Sequence, residues 1–321
     1  MRRFKNILFV VEPDSDCTAA FARAVELAKE NQADLTVMDV VEHIPDERWM
    51  AVTALTPKEI VDSIAEERRE SLNRMIHSDS DGVNVDVRIE SGRVFLEAIK
   101  AVLADGFDLV VKAVAPTPAG VTFFASIDMH LLRKCPCPVW IVGEEDNEKY
   151  RVILAAVDLH PEDDSSDKLN RQILEMAASL ALAEFAELHI VHVWSLVHEE
   201  FLRSARLGFS EVDIEAMATE ERTVRESRLQ RLLDDIDGVS NTDAVDFLVP
   251  TLHIEKGNPK TVVPDVARKL GAELVVMGTL GRSGIPGFFI GNTAEDILES
   301  IDCSVLAIKP PGFTSPVSAS R

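Results

Sequence analysis

A chain of 321 residues, 46% hydrophobic and 27% charged, is long enough for two ordinary domains and too rich in apolar residues to be disordered. Its 55 Asp and Glu outnumber 33 Lys and Arg, for a formal net charge of −22, a field that repels nucleic acid and anionic membrane and argues against both as partners. No apolar run reaches membrane-span length, no secretory core follows Met1-Arg2-Arg3-Phe4-Lys5, and Cys17, Cys135, Cys137 and Cys303 make no disulfide framework, so a cytoplasmic protein with reduced thiols is expected.

In chain order, Asn6–Val11 is a short apolar run that reads as strand, followed by turn and N-cap residues at Glu12-Pro13-Asp14-Ser15-Asp16. Thr18–Asn31 carries apolar residues at helical spacing, and Leu35–Val41 is a second strand. Pro57 is placed to open a long helix running to about His77. Val83–Glu90 (strand), Val94–Ala104 (helix), Leu109–Val111 (strand), Ser126–Lys134 (helix) and Pro138–Val142 (strand) complete the first half. Buried apolar strands alternating with helices predict an α/β fold, a parallel sheet with helices on both faces.

After the polar segment 143–149 the order restarts. Val152–Asp158 answers the first strand, Leu169–Phe185 the first helix, and Ala186–Val193 the second strand. Val212–Leu233 is the long helix, Val245–Ile254 the third strand, Pro259–Leu270 a helix, Ala272–Val276 the fourth strand and Cys303–Ile308 the fifth. The same five-strand module therefore occurs twice. The expected domains are 1–145 and 149–312, with 313–321 as a frayed tail.

Between the fourth strand and the helix beginning near Ala294 runs a glycine-rich loop, Gly278-Thr279-Leu280-Gly281, nine residues, then Gly291-Asn292-Thr293. Such a strand, glycine loop and helix start can cradle an anion on backbone N–H groups. The spacing is neither a P-loop nor the dinucleotide fingerprint. The competing reading is a βα loop that needs its glycines only to turn and pack. Other groupings are weaker. His130-x4-Cys135-x-Cys137 is not a standard zinc spacing, and His189 and His192 point to opposite faces of one strand. No Ser-His-Asp grouping or nucleophile elbow appears.

Gly278-x2-Gly281-x9-Gly291-Asn292 resembles the G-x2-G-x9-G-[ST/N] loop of the universal stress protein family, and the duplicated module resembles its tandem members over nearly the full length. His130–Trp140 and Gly291–Glu295 look especially like the E-type tandem members. The resemblance implies two flavodoxin-like or Rossmann-like domains (adenine nucleotide alpha hydrolase-like), each with a five-stranded parallel sheet. It implies a stress-response role with little or no catalysis and ATP, with or without Mg2+, held by the second domain.

By the same resemblance, Asp158 lies near the ribose and phosphates, Val193 offers its backbone to adenine, and Met277 and Gly278 line the adenine side. Gly281, Arg282, Gly291, Asn292 and Thr293 then face the phosphates. Asp158 could equally be a turn carboxylate and Arg282 a solvated loop arginine. In the first half Ala113, Pro116 and Ala125 or Ser126 replace the key glycines, so no nucleotide is expected there, and Lys112 is expected to pair with a carboxylate or reach a different ligand. The residues Phe201, Leu202, Leu207, Phe209, Val212, Ile214 and Met217 keep open a lipid-like or nucleotide-sugar ligand, and slow ATP hydrolysis is the third alternative. Fifth-strand pairing, as in family dimers, would make an intramolecular pseudo-dimer, and two chains could associate further.

Overall fold

The computed structural model describes residues 4–12, 15–42, 56–80, 82–114, 124, 126–143, 149–159, 166–196, 199–203, 209–240, 248–279 and 291–318. It forms two compact units. One comprises Lys149–Cys303 with Met1–Arg2 and Ile308–Pro311; the other comprises Arg3–Glu148 with Ser304–Ala307 and Gly312–Arg321.

The unit built on the first half contains β1 (Asn6–Val10), α1 (Thr18–Asn31), β2 (Asp34–Val41), α2 (Pro57–Asp79), β3 (Val85–Ser91), α3 (Val94–Asp105), β4 (Leu109–Ala113), α4 (Ser126–Lys134) and β5 (Val139–Val142). Its parallel strands run in the order β3-β2-β1-β4-β5, the Rossmann-like doubly wound arrangement with its switch between β1 and β4. The central strands are buried on both faces, as their unbroken apolar runs require. β10 (Ser304–Ile308) joins this sheet antiparallel to β5, pairing Val305 with Ile141, Leu306 with Trp140 and Ala307 with Val139. The expected pairing of the two fifth strands is therefore present. Further on, the Ser315 hydroxyl donates to the Lys134 carbonyl at the end of α4 at 2.7 Å.

The second unit repeats the pattern with β6 (Val152–Val157), α5 (Asp167–Glu184), β7 (Glu187–Trp194), α6 (Glu199–Leu202), α7 (Glu211–Ser240), β8 (Thr251–Lys256), α8 (Pro259–Leu270), β9 (Leu274–Gly278) and α9 (Asn292–Leu298). Its parallel strands run β9-β6-β7-β8. Small details repeat as well. α3 and α8 each end on a glycine in the left-handed region, Gly106 at φ 71° and Gly271 at φ 62°. Two residues later a carboxylate accepts the amides that open the first strand: Asp108 takes those of Lys5 and Asn6, and Glu273 those of Arg151 and Val152.

Candidate functional site

The carboxyl ends of β9, β6 and β7 lie side by side, so residues just past them share one edge of the sheet. Asp158 follows β6 directly. Its backbone is clamped by Asn170, a buried residue of α5: the Asp158 amide donates to Asn170 Oδ1 at 3.0 Å, and Asn170 Nδ2 donates back to the Asp158 carbonyl at 2.7 Å. Ser166 adds a hydroxyl bond to that carbonyl at 3.1 Å. An Asn amide has both a donor and an acceptor, so one side chain fixes the strand-to-helix turn at both polar groups of a single residue.

Met277 and Gly278 end β9. Met277 is buried, and a Cβ on Gly278 would lie 2.8 Å from Leu169 Cδ2 of α5. The next residue, Thr279, is the base of the glycine loop. Its carbonyl accepts the Gly291 amide at 2.9 Å, its amide donates to the Ile308 carbonyl at 3.2 Å, and its hydroxyl oxygen receives the Lys309 ammonium at 2.7 Å. The Thr279–Gly291 bond brings the two ends of the loop together and places a buried lysine at that base. Asn292 and Thr293 begin α9 and are exposed. Val193 stands near the end of β7, half-buried. Of the residues expected at the site, Asp158, Val193, Met277, Gly278, Gly291, Asn292 and Thr293 thus reach one edge, while Gly281 and Arg282 lie outside the described residues.

Sequence reasoning passed over Asn170 and Lys309, and considered His192 only as a chelating partner for His189. Lys309 carries a faint signal as the first charge after an apolar strand; Asn170 is one polar residue on a long helix and carries none. His192 Nδ1 lies 3.1 Å from the Val157 carbonyl and 3.3 Å from the Leu159 amide. Burial pushes its pKa below the usual value, opposed by that carbonyl and by Asp158, and aided by Arg225. Arg225 of α7 is itself buried, ion-paired to Glu221, with its guanidinium 5.2 Å from the centre of the Trp194 ring.

The corresponding place in the first unit is filled differently. Lys112 is fully buried, and its ammonium lies 2.7 Å from Glu12 Oε2 and 2.8 Å from Asp128 Oδ1, while donating to the Ala113 carbonyl at 2.9 Å. Lys112 therefore pairs with carboxylates, the first of its two sequence expectations. A buried ammonium needs such compensation, because an unpaired charge there would cost several kcal/mol (on the order of 3–5). Pro116, Pro118 and Ala125 lie outside the described residues.

Cys17, Cys135 and Cys137 are buried, and the sulfurs of Cys135 and Cys137 are 3.5 Å apart. The hydrogen bond between them, together with burial, pushes the Cys137 thiol well above its ordinary pKa, which suits a packed thiol and not a nucleophile. His189 and His192 do face opposite sides of β7: the first meets His253, the second Val157 and Arg225. In the apolar segment after β7, Ile214 is buried, whereas Phe201, Phe209 and Val212 are exposed. Among the described residues no helix is long and apolar enough to cross a membrane.

Comparison with known proteins gives one consistent result. The universal stress protein family matches residues 3–143 and again 149–309. Universal stress protein E of Escherichia coli K12 is 30% identical, the alignment covering 99% of this chain and 98% of that protein. Its namesake from Photorhabdus laumondii is 26% identical over the whole of both. A solved universal stress protein structure from Pseudomonas aeruginosa UCBPP-PA14, 25% identical, superposes with a TM-score of 0.64 over 96% of this chain and 94% of its own.

Proposed function

The chain belongs to the universal stress protein family as a tandem, two-domain member, and from that premise we propose that its second domain binds an adenine nucleotide in the cytoplasm with little or no turnover. The observation that carries this reading is the base of the glycine loop. Thr279 and Gly291 hold the loop ends together beside Asp158, and Lys309 buries a positive charge beneath them. A chain of net charge −22 must supply local donors to hold a polyphosphate, and a lysine in a low-dielectric setting does so more effectively than one in water.

In this reading Asp158 meets the ribose, the Val193 backbone and Met277–Gly278 border the adenine, and Gly281, Arg282, Asn292 and Thr293 supply donors to the phosphates. Gly291 has a different part, since its amide already closes the loop. The first domain holds no nucleotide in this manner, because the ammonium of Lys112 and its two carboxylates occupy the floor of the equivalent cleft.

Calorimetry of ATP, with and without Mg2+, on the full chain freed of bound ligand tests the proposal. One site per chain is expected, lost in Gly281→Val and weakened in Asp158→Ala. Lys309→Met should weaken ATP by roughly tenfold, about 1.4 kcal/mol, while leaving adenosine unchanged, because only the phosphates feel the charge. Absence of ATP binding, or binding indifferent to all three variants, overturns the reading. Exposed Phe201, Phe209 and Val212 favour a second reading, an apolar or nucleotide-sugar ligand, which native mass spectrometry of the purified protein would reveal as co-purified mass.

A further inference from the structure

Two imidazoles with no part in the nucleotide site meet on the sheet of the second unit. His189 stands on β7 and His253 on the edge strand β8. In the parallel register His189 is opposite Thr251 and Val191 opposite His253, so the histidines are diagonal neighbours on one face. Nδ1 of His189 lies 3.1 Å from Nε2 of His253, with ring centres 5.3 Å apart and planes inclined by 34°. Glu187, two residues before His189 on the same strand, brings a carboxylate oxygen to 3.6 Å from the remaining nitrogen of His189.

We propose that His189 Nδ1 and His253 Nε2 chelate one divalent transition-metal ion of the Zn2+, Cu2+ or Ni2+ class, with Glu187 as the outer partner that orients His189. Metal–imidazole bonds of about 2.0–2.1 Å drawn from two nitrogens 3.1 Å apart meet at roughly 100°, between octahedral and tetrahedral angles. The charge of Glu187 near Nε2 favours the tautomer with its proton there, which leaves the Nδ1 lone pair facing His253; a carboxylate that closes from this 3.6 Å to hydrogen-bond distance is the usual orienting partner of a metal-bound histidine. Metal entry then requires that His253 carry its proton on Nδ1 instead of Nε2 and that the two rings turn until both lone pairs converge on one point beside the N···N line.

Two further features suit a cation. His189 is 9% exposed and His253 half-buried on the edge strand, so the pair is neither solvated like a surface group nor sealed in the core. Glu187 and Glu255 add negative charge on either side. Among the described residues no third His, Cys, Asp or Glu completes a three-ligand group, so water fills the remaining positions and the site is open. Two imidazoles select borderline transition ions over Mg2+ and Ca2+, which prefer all-oxygen surroundings.

The competing account is a hydrogen-bonded histidine pair that only fastens β8 to β7. Calorimetric titration of the chelator-treated full chain with zinc sulfate at neutral pH separates the two. Chelation predicts one Zn2+ per chain with no matching heat from Mg2+. His253→Gln, which can still hydrogen-bond, should abolish that site, whereas His77→Gln on α2 should leave it intact. Glu187→Gln, on a side chain 80% exposed and therefore safe for folding, should weaken Zn2+ by roughly 10–100-fold. Failure of the wild-type chain to bind Zn2+, or binding that survives in both His189→Gln and His253→Gln, overturns the proposal; so does a His253→Gln variant that loses stability when the wild type takes up no metal.

Discussion

Lys112 and Met277 occupy the same place in two copies of one fold. Ile7 pairs with Leu109 and Val10 with Lys112 in the first sheet; Ile153 pairs with Leu274 and Ala156 with Met277 in the second. The same register makes Glu12 the counterpart of Asp158, an equivalence already visible in the two apolar runs. Asp128 was not legible in that way. It sits sixteen residues from Lys112 on α4, and only the packing of α4 against the sheet brings it to the ammonium. Asn170 and Lys309 escaped for the same reason: their significance is a contact across sequence, and no local pattern encodes it. The triad makes a stability prediction. Lys112→Met leaves two buried carboxylates facing each other and should cost about 3–5 kcal/mol. Lys112→Met with Asp128→Ala removes both the cation and one of the two buried anions and should recover part of that loss, the remainder being the cost of Glu12 left without its cation. Urea denaturation of the single and double variants measures both; a double variant no better than the single would mean the triad does more than neutralise itself.

Elements were far more legible than contacts, because helix starts and stops are local chemistry. Pro57 marks the start of the long helix in the sequence, and in the structure Thr56-Pro57-x-Glu59 closes that start as a capping box: the Glu59 amide donates to the Thr56 hydroxyl and the Thr56 amide to the Glu59 carboxylate. The expected helices Thr18–Asn31, Ser126–Lys134 and Pro259–Leu270 have those same bounds in the structure. The strand expected at Val245–Ile254 begins only at Thr251, since Val249 takes a positive φ of 45° and Pro250 follows it; residues 241–247 lie outside the described ones. Gly278 shows why a glycine motif read from sequence is ambiguous. Its absent Cβ makes room for Leu169 of α5 as well as for any ligand. Gly278→Ala should therefore destabilise the protein by about 1 kcal/mol, the low end for overpacking, because the clashing atom ends a side chain that can turn aside. In a Leu169→Ala background the same substitution should cost almost nothing. If the penalty persists there, the contact between β9 and α5 is not its cause, and thermal unfolding of the four proteins in the cycle decides this.

At the scale of the whole chain, duplication was plain in the sequence, but the compact units do not end where the repeats do. Ser304–Ala307 belongs to the second repeat by sequence, yet it completes the sheet of the first unit, where Leu306 faces Trp140 across an antiparallel ladder. An unpaired β5 would present a flat apolar edge of the kind that aggregates, so the late strand also protects the early one. Apolar alternation alone could not announce this, because β10 has the composition of any buried strand and its partner is a matter of topology. The consequence is testable with the protein's own tryptophans. Trp140 is 1% exposed against β10, whereas Trp194 lies under Arg225 in the other unit. In a chain with Trp49 and Trp194 changed to Phe, Leu306→Ala should lower the urea midpoint read from Trp140 by an amount equivalent to about 2–5 kcal/mol, the usual cost of deleting a buried leucine side chain. A strand serving the second repeat alone would leave the Trp140 transition in place and move only that of Trp194, read in the complementary Trp140→Phe chain. A shift of the Trp140 transition by a residue more than 160 positions away would mean that the first domain is finished only when the end of the chain arrives.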